Sequence, residues 1–256
     1  MKKLIPYIIV GAGALAPFTA SAIPVGLELA LLTDVSGSVN TTEYNLQRGG
    51  YVAAFQNAGI QAAISAITGG IAVAYYEWSG ASQQATKVNW FHIFDATSSN
   101  AFAAALNATT RSFDGSTAPG SAINFATPLF GTETGGVGNG FESLRQVLDV
   151  SGDGAQNDGA STLTARNAAL AAGVDAINGL PILGESGLLA FYQNNIQGGA
   201  GSFTIPAASF NDFNTAILQK IGREVTNPPV PEPASLALLG IGLAGFAVRR
   251  SKKVTV

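Results

Sequence analysis

The chain has 256 residues, of which 47% are hydrophobic and only 11% are charged, so the composition excludes disorder for most of its length. A formal net charge of −3 leaves no basic footprint and argues against binding to nucleic acid. The absence of cysteine excludes a disulfide framework, a thiolate zinc site and a cysteine nucleophile.

The first 22 residues have the pattern of a secretory signal peptide. Two lysines follow Met1, an apolar run covers residues 4–16, and Ala20-Ser21-Ala22 offers a cleavage site before Ile23. Residues 11–16 also match a dinucleotide-binding fingerprint, but Pro17 follows where that motif requires a helix. We therefore interpret residues 1–22 as an export signal and residues 23–226 as the folded domain.

Strand-like and helix-like segments alternate through residues 23–226. Residues 27–33 form an apolar run typical of a buried strand, and residues 71–78 and 87–94 predict two strands that pair antiparallel. A helix is expected over residues 41–57, capped by Asn40 or Thr41. Further helices are expected over 59–67, 98–108, 120–130, 161–172, 187–195 and 209–224, and strands over 145–150, 174–180 and 201–205. This order predicts an α/β fold: a mostly parallel sheet, helices on both faces and one antiparallel edge strand.

Three loops of this predicted sheet carry oxygen-bearing side chains. Asp34, Ser36 and Ser38 alternate after the first strand, Thr117 precedes a predicted helix, and Asp153 follows the strand over 145–150. Ligands of open α/β sheets bind outside the carboxyl ends of the strands, so these loops are expected to meet. An all-oxygen site with few carboxylates suits a hard divalent cation, Mg²⁺ above all, with Mn²⁺ or Ca²⁺ as alternatives.

Other interpretations of the same residues stay open at this point. Asp34 can instead cap the following helix, and Asp149 competes with Asp153 as the acid of the third loop, although it lies within the predicted strand. Residues 149–154 mimic the start of an EF-hand loop, but its twelfth position is Ala160, not the required Glu. Glu77 and Trp78 either support the site from behind or form a pair at the surface edge of the sheet.

Nothing in the sequence indicates an enzyme. The single histidine, His92, lies within a predicted strand, and neither a G-x-S-x-G elbow nor a P-loop is present. We therefore expect a non-catalytic protein.

The end of the chain has an ordered set of features. Residues 227–233 form a Pro-rich linker ending in Pro231-Glu232-Pro233, and residues 234–256 contain an apolar run followed by a basic cluster around Arg249 and Arg250. The apolar run is short for a membrane-spanning helix, which needs about 20 residues. Proline-glutamate-proline, apolar run and basic end, in this order, resemble a PEP-CTERM sorting signal. The resemblance implies transient membrane anchoring, processing by an exosortase, and a final place at the cell surface or in the extracellular matrix of a Gram-negative bacterium.

The three loops also carry a family resemblance. Asp34-x-Ser36-x-Ser38, with Thr117 and Asp153 further along, resembles the metal-ion-dependent adhesion site (MIDAS) of von Willebrand factor A domains. Additional segments, including Glu43-Tyr44 and residues 77–80, 149–154 and 177–182, resemble the bacterial DUF1194 subfamily of these domains. The resemblance implies a von Willebrand factor A-like fold in which these five residues hold the metal.

The function implied is that of an exported adhesion or binding module. Its metal ion would bind an acidic group on a protein or polysaccharide partner. The alternative is a structural component of the exopolysaccharide or biofilm matrix, without metal-dependent ligand binding.

Overall fold

A computed structural model describes residues 21–226, along which strands and helices alternate. The strands are β1 (Ile23–Pro24), β2 (Leu27–Asp34), β3 (Ile71–Trp78), β4 (Gln84–Ile93), β5 (Phe141–Glu142), β6 (Gln146–Gly152), β7 (Ala176–Pro181) and β8 (Gly198–Gly199). The α-helices are α1 (Thr41–Gln56), α2 (Ala58–Ser65), α3 (Ala96–Asn107), α4 (Pro119–Ala126), α5 (Thr162–Ala172), α6 (Leu188–Phe191) and α7 (Phe213–Thr226). Short 3₁₀ segments cover Thr127–Thr134 and Phe210–Asp212, and a π-helical turn covers Tyr192–Ile196.

The central sheet has six strands in the order β4-β3-β2-β6-β7-β8. Strand β2 pairs in parallel with β3 and β6, and β6 pairs in parallel with β7. Strand β4 runs antiparallel to β3, which confirms the mostly parallel sheet with an antiparallel edge strand. The two-residue strand β8 adds a second antiparallel edge that the sequence pattern did not predict. The strand expected over 201–205 is reduced to a single bridge between Gly179 and Thr204.

The core lies on both faces of this sheet, as predicted. Leu29 and Leu31 of β2 face one hydrophobic cluster with α1, α3 and α7, whereas Ala30 and Leu32 face a second cluster with α4 and α5. All eight residues of β2 are buried. A strand covered on both faces needs apolar side chains at successive positions, which explains the continuous apolar run in the sequence.

Helix α1 begins with a complete capping box. The Asn40 side chain accepts hydrogen bonds from the backbone N–H groups of Thr42 and Glu43, and the Glu43 carboxylate accepts one from the Asn40 N–H. Asn40 is therefore the cap, and the alternative in which Asp34 caps this helix is wrong. The Asp34 side chain remains available for another role.

The helix predicted over residues 120–130 is shorter than expected. Helix α4 ends at Ala126, and the chain continues as 3₁₀ turns in which Gly131 has a left-handed φ of 89°. Pro128 lacks the N–H that an α-helix needs, so the α-helical ladder stops there. Within residues 21–226, no helix combines the length and apolar character needed to cross a membrane. Most of the predicted signal peptide, and all of the predicted linker and tail, lie outside the described residues.

Candidate metal centre

The first and third polar loops meet at the carboxyl ends of β2 and β6. The Ser38 hydroxyl donates a hydrogen bond of 2.7 Å to Oδ1 of Asp153, across 115 residues of sequence. The Ser36 and Ser38 hydroxyls lie 3.2 Å apart. The structure thus brings Ser36, Ser38 and Asp153 into one continuous chain of oxygen atoms.

Asp34 lies fully buried at the end of β2. Its Oδ1 accepts a hydrogen bond of 2.7 Å from the Ser36 N–H, but its Oδ2 is buried without any partner. Burial, followed by repulsion from Asp153, raises the pKa of the Asp34 carboxyl to about 7. A buried carboxylate oxygen without a partner is costly, and a cation beside it would remove that cost. The residues present therefore fit a divalent metal ion.

Thr117 lies in the second loop, immediately before α4. Its N–H donates to the Asn157 side chain at 2.8 Å, and its carbonyl accepts from the Asn157 N–H at 3.0 Å. The Thr117 hydroxyl would be 3.4 Å from a Cβ placed on Gly154, so it lies next to the third loop. Asn157 therefore holds the backbone of Thr117 in position. Sequence analysis missed this role, because the loop spacing does not show which side-chain amide folds back onto Thr117.

Asp149 and Asp153 contact different parts of the molecule. It lies within β6, fully buried, and its carboxylate is 2.5 Å from the Lys220 ammonium of α7. Burial raises the pKa of the Asp149 carboxyl, and the Lys220 charge opposes that rise. Asp149 therefore belongs to an ion pair beneath α7, whereas Asp153 belongs to the oxygen cluster.

Gly152 and Tyr192 complete the surroundings of Asp34. A Cβ on Gly152 would be 2.6 Å from Oδ2 of Asp34 and 2.9 Å from the Tyr192 hydroxyl. The Tyr192 hydroxyl is also buried without a partner, and burial, followed by the charges of Asp34 and Asp153, raises its pKa well above the usual value. Sequence reasoning missed Tyr192, which reaches the site from a π-helical turn 158 residues after Asp34.

The loop that carries Ser36 is held from behind by Arg111. The Arg111 guanidinium donates to the carbonyl of Val35 at 3.0 Å and to that of Ser36 at 2.8 Å. These bonds fix the backbone from which Ser36 projects.

Glu77 in turn fixes the segment that carries Arg111. Its carboxylate accepts hydrogen bonds of 2.8 Å from the Ser112 N–H and from the Tyr44 hydroxyl, and it lies 3.8 Å from the Lys87 ammonium. Glu77 and Trp78 are both fully buried, so the interpretation as a surface-edge pair is wrong. These contacts instead support the site from behind, through the segment that carries Arg111.

The single histidine lies at the other end of the sheet. His92 pairs with Ala72 near the start of β3, whereas Asp34 pairs with Trp78 at its end. The His92 ring forms a hydrogen bond with the Gly69 carbonyl.

The candidate site offers few charged side chains to a metal ion. Within residues 21–226, no group of three or more His, Cys, Asp or Glu side chains is arranged to hold a metal ion. The candidate centre instead combines two carboxylates, Asp34 and Asp153, with hydroxyl oxygens. Mg²⁺ is commonly bound by one or two carboxylates and keeps several waters, so this donor set suits it.

Two sequence families match the chain. The family described as "Protein of unknown function (DUF1194)" matches residues 24–229, and the PEP-CTERM protein-sorting motif matches residues 229–251. The sorting motif indicates an exported, surface-associated protein of a Gram-negative bacterium. No curated protein sequence is significantly similar to the chain.

Several solved structures share the fold at low sequence identity. Proximal thread matrix protein 1 from the mussel byssus has a TM-score of 0.59 and 15% identity, covering 80% of this chain and 48% of its own. The pilus adhesin SpaC from Lactobacillus rhamnosus GG has a TM-score of 0.54 and 16% identity, with coverages of 78% and 30%. A von Willebrand factor type A protein from Catenulispora acidiphila has a TM-score of 0.52 and 12% identity, with coverages of 77% and 42%.

The chain thus spans less than half the length of each of these three proteins, and the likeness shows the fold alone. That fold is the predicted von Willebrand factor A fold. Because the family match extends over nearly the whole described domain, the chain belongs to the DUF1194 family.

Proposed function

We propose that this protein is an exported binding module that depends on a divalent metal ion. In this proposal Asp34, Ser36, Ser38, Thr117 and Asp153 hold the cation, with Mg²⁺ favoured over Mn²⁺ and Ca²⁺. The metal then binds a carboxylate or other acidic group on a protein or polysaccharide partner. The observation that carries the proposal is the unpartnered, buried Oδ2 of Asp34, at the start of the loop whose Ser36 and Ser38 hydroxyls are linked to Asp153.

The chemistry of the donors explains why an acidic partner is expected. Hydroxyl oxygens coordinate a cation without adding negative charge, so the ion keeps more positive character than in a carboxylate-rich site. An anionic group that completes the coordination is therefore attracted. Two of the structurally similar proteins agree with this proposal: SpaC is described as a pilus adhesin, and the mussel protein has also been solved with a zinc-occupied MIDAS motif.

The proposal includes no catalysis and assigns export to the two ends of the chain. The only histidine lies at the opposite end of the sheet from Asp34, so it cannot activate a nucleophile there. Processing of the tail by an exosortase, after transient membrane anchoring, belongs to the same proposal and rests on the sorting motif.

Calorimetric titration of the full chain with Mg²⁺, Mn²⁺ and Ca²⁺ tests the metal site directly. We expect one divalent ion per chain, and loss of that binding in the variants Asp34→Asn and Ser38→Ala. The matched control is Glu142→Gln, which removes an exposed carboxylate on β5, away from the site. Equal titration heats for Asp34→Asn and the unchanged chain would contradict the proposal.

Retention on agarose beads that carry an immobilised Gly/Ser peptide with a single Glu tests the second half of the proposal. We expect the chain to bind these beads in Mg²⁺, to pass through uncoated agarose, and to elute with EDTA. Retention that is the same before and after EDTA would favour the alternative of a structural matrix component without metal-dependent binding.

A further inference from the structure

A cleft of about 880 Å³ adjoins the candidate metal centre. Ser38, Thr117 and Asp153 line this cleft, and so do the carboxylate residues Glu43 and Glu185. None of the described residues that line the cleft is Lys, Arg or His. A ligand that reaches the metal through this cleft therefore passes two additional negative charges.

Both wall carboxylates are held in place by backbone hydrogen bonds. Oε2 of Glu43 accepts the Asn40 N–H at 2.8 Å, and Oε2 of Glu185 accepts the Ala155 N–H at 2.8 Å. In each case one carboxylate oxygen is used for the loop, and within the described residues no hydrogen bond occupies the other. The negative charges are thus fixed features of the cleft.

Glu43 and Glu185 line the same cleft as Asp153, so their charges act on a ligand that binds there. The nearby arginines do not offset this charge within the cleft. Arg111 and Arg48 donate to main-chain carbonyls behind the loops and do not line the cleft.

The cleft also offers an apolar wall. Leu46 and Leu183 are each 37% exposed, and Phe210 lies on the same lining surface. A lysine or arginine can cover such a surface with its aliphatic stem while its charged end reaches a carboxylate.

We infer that the ligand is a protein segment with an acidic residue next to a basic residue. The acidic residue binds the metal, and the basic residue pairs with Glu43 and Glu185. This inference rests on the proposed function and narrows its partner class. A second acidic group beside the first would face the wall carboxylates and be repelled, whereas a basic group would be attracted. An acidic polysaccharide repeats its negative charge from sugar to sugar and carries no cation, so the cleft selects against it.

Three immobilised, capped peptides provide the probe, together with a surface coated with alginate. Each peptide has a Gly/Ser background and one Glu, followed two residues later by Lys, Gln or Glu. In Mg²⁺ we expect the full chain to bind the Lys peptide about tenfold more tightly than the Glu peptide, as expected for one reversed charge near two partly screened carboxylates. Alginate should bind more weakly than the Lys peptide.

The variants Glu43→Gln and Glu185→Gln assign this preference to the cleft. Glutamine keeps an oxygen for the loop hydrogen bond, so each variant removes charge with little change in structure. We expect each of these variants to reduce the preference for the Lys peptide over the Glu peptide about threefold, because the charge lies within the screening distance of the ligand. Glu142→Gln should leave the preference unchanged, because its charge lies beyond that distance.

Two outcomes overturn the inference in distinguishable ways. Mg²⁺-dependent binding that is equal or stronger for alginate or the Glu peptide overturns the inference and leaves the proposed function standing. Absence of Mg²⁺-dependent binding to all four probes overturns both.

Discussion

At the scale of single residues, the candidate site depends on the absence of a side chain at position 152. Gly152 stands across from Asp34 at the ends of β6 and β2, and any side chain there would enter the space shared by the Asp34 carboxylate and the Tyr192 hydroxyl. The glycine thereby leaves the space beside the buried, unpartnered Oδ2 of Asp34 free of a side chain. Packing at protein interiors is tight enough that one added methyl group is felt.

We predict that Gly152→Ala lowers the affinity for Mg²⁺ at least about tenfold, because its Cβ would press on the Asp34 carboxylate and shift it from the cation. Calorimetric titration of the folded variant measures this. The control is Gly49→Ala on the exposed face of α1, where nothing lies within 4 Å of the new Cβ. Equal affinities for the two variants would show that Gly152 has no such role.

The residues of the site differ in how well the sequence predicts them. Asp34, Ser36 and Ser38 follow a recognisable strand at alternate positions, so their convergence can be expected from spacing and from the general location of ligands at strand ends. Tyr192 and Arg111 act from other elements, and their approach depends on how those elements pack. No spacing rule relates Tyr192 to Asp34, so only the folded structure shows that they meet.

At the scale of elements, α7 is attached to the sheet by buried charge as well as by apolar contact. Lys220 lies 2.5 Å from Asp149 of β6 and 3.0 Å from Glu224, and Asn178 of β7 donates to Glu224 at 2.8 Å. Lys220, Asp149 and Glu224 are all fully buried. The one ammonium lies beside both carboxylates in a region that water does not reach, so both depend on the same cation.

We predict that Lys220→Met lowers the free energy of unfolding by about 3–5 kcal/mol, because it leaves the buried carboxylates of Asp149 and Glu224 without their cation. Urea unfolding followed by circular dichroism measures the change. Arg223→Met is the matched control on the same helix: Arg223 is exposed and stacks on Phe203 at 4.0 Å, and its loss should cost about 1 kcal/mol or less. Similar costs for the two variants would refute a special role of the buried cluster.

Sequence patterns predict the long elements well and the short ones poorly. Strands β2 and β3 are recognisable because burial on both faces requires continuous apolar residues. Strand β8 has only Gly198 and Gly199, which lack side chains, so its pairing with β7 leaves no pattern in the sequence. The predicted end of α4 is wrong because Leu129 and Phe130 continue the apolar pattern after Pro128, where the backbone has already become 3₁₀.

At the scale of the whole molecule, charge and site location act together. Residues 23–230 contain seven lysines and arginines against fifteen aspartates and glutamates, a net charge of −8. Such a domain attracts cations in general, and screening by any salt reduces its self-repulsion. A specific metal site must therefore be distinguished from this general effect of cations.

We predict that Mg²⁺ at about 100 times its dissociation constant stabilises the chain by about 2.7 kcal/mol, because the ion binds the assembled loops and not the unfolded chain. For a domain of about 200 residues this corresponds to a rise in Tm of about 5–10 °C, measurable by circular dichroism and reversed by EDTA. NaCl at the same ionic strength supplies the screening without the coordination, and Asp34→Asn removes the coordination without abolishing the overall charge. Both should show a much smaller rise. If NaCl raises Tm as much as Mg²⁺, or if Asp34→Asn responds to Mg²⁺ like the unchanged chain, the stabilisation comes from screening of the acidic surface and not from an ion held between β2 and β6.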